Sequence, residues 1–441
     1  MDRYQIIGNI GHATHIDLKA GERAGRLIAA GRRFAAGARA ARLASLFPQS
    51  LTDSIVRRFE SGIVYGRLDV TLPDGSSRQL LGQQPGPHAT LALIHWRALW
   101  RLKLAGSVGW YQAWLAGDWS SEDPVQLFAF FSANRHSLSA KARSRGPVRW
   151  FNRWLHRNRH NDRSGARRNV EAHYDLGNAF YAAWLDPSMS YSSAMFDPKV
   201  EGETLEAGQR RKVDAILSRL NLSKGDSLLE IGSGWGGLAA RALERFGVTY
   251  TGLTLSAEQA DWARQTVGQS GGERDAQFLL QDYRDASGQY NAIASVEMVE
   301  AVGHEYWPAY LDAIARLLGP NGRAAVQYIA IDDALFADYA ANTDFIQTYI
   351  FPGGCLLSVP EFRALAQARG LVWQDQVDFP IDYARTLAMW RARYDAARAE
   401  GRLPAAFDAE FDQMWRYYLM YCEGGFRGGG ITVAQVTLVK S

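Results

Sequence analysis

Residues 227–246 read SLLEI, GSGWGG and LAARALERF in succession: an apolar run, a loop in which Gly232, Gly234, Gly236 and Gly237 are four of six residues, and an apolar-periodic stretch. A short apolar strand that passes through glycines straight into a helix is the opening unit of a parallel α/β sheet. Glycines let the backbone approach a ligand closely, and the helix N-terminus that follows favours polar or anionic groups. On spacing alone Gly232, Gly234 and Gly237 also fit a dinucleotide fingerprint, which wants an acid about 20 residues later for the ribose hydroxyls. The second strand pattern ends instead in Thr254-Leu255-Ser256, and the next acid, Glu258, already opens a helix. No acid stands where a nicotinamide enzyme would need one.

Working outward, residues 249–253, 276–280, 292–296 and 323–329 each read as a short strand, with helical patterns between them. That alternation predicts a parallel sheet covered by helices on both faces. Residues 371–377 and 431–440 add two strand patterns, so seven strands are expected. Glu230 before the loop completes E-x-G-x-G-x-G, the pattern of S-adenosylmethionine methyltransferases, so the expected fold class is the seven-stranded, Rossmann-like α/β sheet of class I methyltransferases. The third strand ends in Gln281-Asp282-Tyr283, a carboxylate and a ring placed to meet an adenine amine and ring face. The plainer readings are a glycine turn that serves helix packing and an Asp282 that caps a helix.

Over 441 residues, 47% are hydrophobic and 22% charged, which excludes general disorder and a small disulfide scaffold. The length calls for two domains or more. No run of 18 apolar residues and no secretory-signal core is present, so a cytoplasmic location is expected, with Cys355 and Cys422 as free thiols and no metal site. The formal charge of +3 hides a local excess: residues 141–168 carry ten basic residues against Asp162 alone. Trp150, Phe151, Trp154 and Leu155 sit among Arg149, Arg153 and Arg157. A helix here would show an apolar stripe edged with cations, the pattern of an interfacial helix on anionic lipid, at roughly 1 kcal/mol per basic residue. A solvated linker is the plainer alternative, and no nucleic-acid partner is expected. The expected organisation is a basic helical extension over 1–50, a small α+β domain over 51–135, this basic aromatic linker over 136–168, and the catalytic domain over 169–441. Within the small domain a hairpin is expected over 66–81 around Pro73-Asp74-Gly75, then helices over 89–104, 108–116 and 125–132. Its surface is a candidate for homodimer formation.

Eight stretches, in order, resemble the cyclopropane fatty acid synthases and the related mycolic acid methyltransferases: 171–196 (EAHYDLGNAFYAAWLDPSMSYSSAMF), 229–238 (LEIGSGWGGL), 252–259 (GLTLSAEQ), 281–285 (QDYRD), 295–303 (SVEMVEAVG), 345–354 (FIQTYIFPGG), 382–390 (DYARTLAMW) and 415–426 (WRYYLMYCEGGF). The resemblance covers roughly residues 168–441. It implies that Tyr191, Ser192, Glu230, Gly232, Ser233, Gly234, Trp235, Gly236, Thr254, Leu255, Gln259, Asp282 and Tyr283 hold S-adenosylmethionine, with Thr254 and Gln259 in place of the usual acid at the ribose. It also implies transfer of the sulfonium methyl to a cis double bond of a phospholipid acyl chain at the inner face of the membrane. A carbocation results, and loss of a proton from the new methyl closes a cyclopropane ring.

An alkene is a weak nucleophile, so rate must come from alignment with the methyl, support for the cation and exclusion of water. Tyr174, Tyr349, Phe351 and Tyr383 are candidates for that support through their π faces, and Glu300 is a candidate anion. The family holds a bicarbonate, its presumed base, with a Cys, a Glu, a His and a Tyr. Here Ser193 stands at the Cys position and Gln327 at the His position, while Glu300 and Tyr383 remain. Ser and Gln can hydrogen-bond an oxyanion but do not titrate near neutral pH, so bicarbonate would be held more weakly or be absent. Glu297 falls where the family usually has Gly and is an extra carboxylate available as base or relay. If the proton leaves from a different carbon, the product is a methylene-bearing or methyl-branched chain.

Overall fold

The computed structural model describes residues 24–25, 28–29, 57, 59–142, 176–269, 271–272 and 274–440. Arg149, Trp150, Arg153, Trp154, Arg157 and Tyr174 lie outside the described residues, as does nearly all of 1–50.

The expected hairpin forms from β1 (Tyr65–Thr71) and β2 (Ser77–Leu81). Asp74 accepts a hydrogen bond from the Ser76 backbone N–H at 2.9 Å, and Gly75 takes the positive φ of 82° that the turn requires. β3 (Gln84–Leu93) then runs parallel to β1. This corrects the expected helix over 89–104: Ala89, Leu91 and Leu93 are buried at every second position, the period of a strand. The helix, α1 (Arg97–Leu115), begins only after it, and absorbs the 108–116 pattern across a kink at Gly106. β4 (Trp119–Ser120) closes a four-stranded sheet in the order β2-β1-β3-β4. α2 (Pro124–Ala133) starts where Asp123 caps the backbone N–H groups of Val125 and Gln126 ahead of a proline in the first turn, and α3 (Arg135–Ala142) follows.

After α4 (Asn178–Ala182) and α5 (Leu205–Arg219), strands and helices alternate as β5 (Ser227–Ile231), α6 (Gly237–Phe246), β6 (Thr249–Thr254), α7 (Ala257–Gln269), β7 (Ala276–Leu280), β8 (Tyr290–Val296), α8 (Trp307–Leu317) and β9 (Leu318–Ile331). α9 (Asp333–Ala340), a π-helical turn over Ile346–Ile350, α10 (Val359–Gln367), β10 (Leu371–Asp378), α11 (Pro380–Ala399), α12 (Ala409–Gly428) and β11 (Ile431–Lys440) complete the chain. The seven-stranded sheet has the order β10-β11-β9-β8-β5-β6-β7. From β9 to β7 all pairings are parallel, and β11 inserts antiparallel between β9 and β10. Alternation along β5 sorts its side chains to two cores. Leu228 joins the apolar faces of α5, α6 and α7, while Leu229 and Ile231 join Trp307, Leu311 and Ile314 of α8.

The small sheet is joined to the large one through helices. Gly424 and Gly428 of α12 lie so close to α2 that an added Cβ at either would collide with Phe128 or with the Ala129 carbonyl, and Ser132 Oγ donates to Gly425 O at 3.0 Å. Small residues one turn apart let the two helices approach to backbone contact. Tyr111 of α1 then meets Phe345, Tyr349 and Tyr417 at centroid distances of 4.8, 4.8 and 4.9 Å. Cys355 and Cys422 are free thiols.

Candidate functional site

A cleft opens at the C-terminal ends of the parallel strands, where the strand order reverses between β5 and β8, the usual place for a ligand in such sheets. Tyr191, Ser192, Glu230, Gly232, Ser233, Gly234, Trp235, Thr254, Leu255, Gln259, Asp282 and Tyr283 all line it. Gly236 does not: it caps α6 in a left-handed conformation, and an added Cβ would stand 2.9 Å from Ala263 Cβ, so its part is the approach of α6 to α7.

The backbone N–H groups of Gly232 and Ser233 both donate to Leu253 O, at 3.0 and 2.9 Å, which fixes the loop to β6 and leaves its next residues to face the cleft. Gly234 has φ 50°, and a Cβ built there meets nothing within 4 Å. The Ser233 hydroxyl is buried without a hydrogen-bond partner among the described residues. Thr254 Oγ1 donates to Gln259 Oε1 at 2.8 Å, an orientation that leaves the Gln259 amide nitrogen as the donor for a ligand. Arg284 grips Asp282 from Nε at 2.8 Å and Nη2 at 2.6 Å, and Asp282 also accepts from the Arg284 backbone N–H, so the plainer capping role is present beside any ligand role. Glu230 accepts from the Tyr250 hydroxyl, and burial lifts its carboxyl to about 7 against the pull of that bond and of Lys212. A free hydroxyl, an open glycine and an outward amide fit a nucleoside with a polar tail.

Beside this cleft stands a cradle built from four distant parts of the chain. At the end of β8 the backbone of Glu297 takes φ 49°, a left-handed conformation that suits glycine and costs another residue roughly 1–2 kcal/mol. Glu297 Oε1 accepts from the Ser193 backbone N–H at 2.9 Å and from Gln327 Nε2 at 2.7 Å. Its Oε2 accepts from the Tyr383 hydroxyl at 2.6 Å. The Ser193 hydroxyl turns away to Ala194 O at 2.9 Å, so it is the main chain of Ser193, not its side chain, that serves the cradle. Glu300 accepts from the Ile329 backbone N–H, and its Oε2 is buried without a partner among the described residues. Burial, with the Glu297 charge next to it, holds the Glu300 carboxyl up at about 8. Burial also raises Glu297, but the donors from Tyr383, Ser193 and Gln327 oppose it. Burial and the neighbouring carboxylate favour the neutral form of Glu300, whereas the three donors around Glu297 favour its ionised form against its own burial.

Tyr191 and Phe351 stack at 6.5 Å, and the Tyr191 and Tyr418 hydroxyls are 2.9 Å apart, which gives an aromatic wall near the cradle. Tyr349 instead packs with Tyr111 and Phe345, and Gln112 Nε2 reaches its hydroxyl at 3.4 Å. Lys212, absent from the sequence reading, lines the cleft with its Nζ 2.7 Å from Ser192 Oγ, and burial lowers its pKa. Gln209 and Lys212 interrupt the buried stripe Leu205, Gly208, Val213, Ile216 of α5, and a polar residue on such a stripe was the available signal.

A family model described as mycolic acid cyclopropane synthetase matches residues 161–436, more than half of the chain. The chain belongs to that family. As a member it is an enzyme of the methyltransferase class, and its large sheet is the class I methyltransferase fold. Tuberculostearic acid methyltransferase UfaA1 of Mycobacterium tuberculosis is 37% identical over 350 residues, 77% of this chain and 80% of that protein. Cyclopropane-fatty-acyl-phospholipid synthase of Escherichia coli is 37% identical over 271 residues, 61% of this chain and 66% of that protein. A crystal structure of mycolic acid cyclopropane synthase CmaA1 complexed with SAH and CTAB superposes with a TM-score of 0.58 at 34% identity, over 62% of this chain and 98% of that one. The likeness to UfaA1 is longer than everything from residue 161 to the C-terminus, so it runs into the segment that precedes the family match.

Ser193, through its backbone N–H, Gln327 and Tyr383 thus all donate to one carboxylate of the chain itself, Glu297.

Proposed function

We propose that this enzyme methylates a double-bond carbon of an unsaturated phospholipid acyl chain and that Glu297 is the base that takes a proton from the new methyl. The observation that carries the reading is the buried Glu297 carboxylate, which lines the cleft and is held by three donors. S-adenosylmethionine, when bound, supplies an electrophilic methyl on sulfur. Thr254 and Gln259 would hold its ribose, Asp282 and Tyr283 its adenine, and Ser192, Glu230 and the 232–235 loop its amino acid portion.

Transfer forms a C–C bond and leaves a cation on the neighbouring carbon of the acyl chain, which the Tyr191, Phe351 and Tyr418 rings can face. Two outcomes then balance. Loss of a methyl proton to Glu297 with closure onto the cation gives a cyclopropane. A hydride shift from the methylated carbon to its cationic neighbour first, then loss of a methyl proton to Glu297, gives a branching methylene on the open chain. In this scheme the proton leaves the same methyl in both, so the methylene product does not need a proton lost from a different carbon, which was the expectation from sequence.

We favour the methylene product, which a reductase would convert to a methyl branch. The likeness to UfaA1, a methyltransferase by name, spans more of the chain than the likeness to the Escherichia coli synthase, and Glu297 supplies a carboxylate tethered to the chain itself. The cationic segment around Arg149, Arg153 and Arg157 supports contact with anionic lipid. Among the described residues no helix is long and apolar enough to cross a membrane. The test is proton NMR of lipid extracted after incubation with dioleoyl phosphatidylglycerol vesicles and S-adenosylmethionine. Exomethylene resonances support the reading, high-field cyclopropane protons replace the product assignment with a ring, and no methylated lipid removes it.

A further inference from the structure

The donor that faces Glu297 is itself held by a second amide. Gln435 of β11 lies directly across the antiparallel ladder from Gln327 of β9, and both are fully buried. Gln435 Nε2 donates to Gln327 Oε1 at 3.0 Å, and Arg219, at the end of α5, donates from Nε to Gln435 Oε1 at 3.2 Å. Arg219 is anchored in turn by the Asp375 carbonyl and by Thr437 Oγ1 at 3.4 Å. A guanidinium can only donate and an ionised carboxylate can only accept, whereas a primary amide can face a neighbour with either end. With a donor at one end of the row and an acceptor at the other, each of the two amides between them has a single satisfied orientation.

We propose that Gln435 and Arg219 are positioning residues that lock the Gln327 amide with its NH2 toward Glu297, so that the proton acceptor is held as a carboxylate in one place. The inference rests on the reading of Glu297 as the base and deepens it. Gln327 Nε2 also donates to Ser193 O at 3.3 Å, which favours the same orientation; without Gln435, however, Gln327 Oε1 loses its donor and can turn to Glu297, which replaces a hydrogen bond with a contact between two acceptors. Such a contact disfavours the ionised form of Glu297. Among the described residues, the other charged or titratable groups that act on Glu297 are Lys212 from α5, Glu300 from the turn after β8 and Tyr383 from α11, and none of them changes in the variants below.

The carboxyl infrared band of Glu297, identified by its loss in Glu297→Gln, is titrated in the whole protein and in Gln435→Met, a side chain of similar volume. Its midpoint should rise by about one pH unit, a change of roughly tenfold in proton affinity. The acid limb of kcat with dioleoyl phosphatidylglycerol vesicles should move the same way, while KM values change by less than about twofold. Arg219→Met, at a partly exposed helix end, should move both in the same direction by less. A packing role alone would lower the melting temperature and leave the midpoint in place. Unmoved midpoints in the folded variants overturn the proposal, and if Gln435→Met does not fold, an unmoved midpoint in Arg219→Met does so alone. Failure of the base assignment shows separately, as normal turnover by Glu297→Gln.

Discussion

Glu297→Gly removes the carboxylate from the cradle and leaves the backbone in a conformation that glycine adopts freely. Three donors, the Ser193 N–H, Gln327 Nε2 and the Tyr383 hydroxyl, lose their acceptor at once. A buried donor without a partner costs about 1–3 kcal/mol, so the empty cradle should bind a small oxyanion, while release of the left-handed strain returns roughly 1–2 kcal/mol. A positioned general base contributes about 10²- to 10⁴-fold, or roughly 3–5 kcal/mol of barrier. Methyl transfer from labelled S-adenosylmethionine to lipid, in bicarbonate-stripped buffer, should therefore fall at least about 100-fold in this variant. Added bicarbonate or formate should restore a substantial part of the lost rate, because either can accept the same three hydrogen bonds. Turnover within about threefold of the unaltered enzyme, with no response to either anion, would refute the assignment of the base.

Three further outcomes follow from the same geometry. Gly234→Val should abolish S-adenosylmethionine binding in calorimetry with the circular dichroism spectrum retained, since the side chain would project into the open space of the cleft, although φ 50° also disfavours it. Glu300 binds its proton up to about pH 8 in the folded chain but releases it near 4.5 when unfolded, so the folded state holds the extra proton between those values and loses stability as pH rises through that window. Denaturant midpoints of Glu300→Gln, which cannot ionise, should fall less across pH 5–8 than those of the unaltered protein, and equal slopes would contradict the buried, protonated Glu300. Replacing Arg149, Arg153 and Arg157 by Gln should weaken co-sedimentation with anionic vesicles and flatten its salt dependence; unchanged binding would place the lipid contact elsewhere.

The fold was legible because its decisive signals are local. The strand, glycine loop and helix of 227–246 and the strand patterns after them each fit within a few residues. The strand at 89–93 was misread because its buried positions run directly into the apolar face of α1, so that a period of two merges with a helical one. At the site, Glu297 could be named from its place in SVEMVE, but its contacts come from residues 193, 327 and 383, which only the sheet register and the docking of α11 bring together. The same holds for Gln435, whose partner is fixed by the pairing of β11 with β9. Glu300 and Glu297 look alike in sequence, and only the structure shows that three donors oppose the effect of burial at Glu297 while one side-chain oxygen of Glu300 is left without a donor among the described residues.

The most direct test of an internal base needs no substitution. The rate of methyl transfer by the unaltered enzyme is measured as bicarbonate is removed and returned, with atmospheric carbon dioxide excluded throughout. A carboxylate already seated among Ser193, Gln327 and Tyr383 leaves no vacancy for the anion, so the rate should stay constant within about twofold, with the anion's only contribution nonspecific salt. A rate that collapses without bicarbonate and saturates as it is restored would show that a diffusible anion takes the proton and that Glu297 does not.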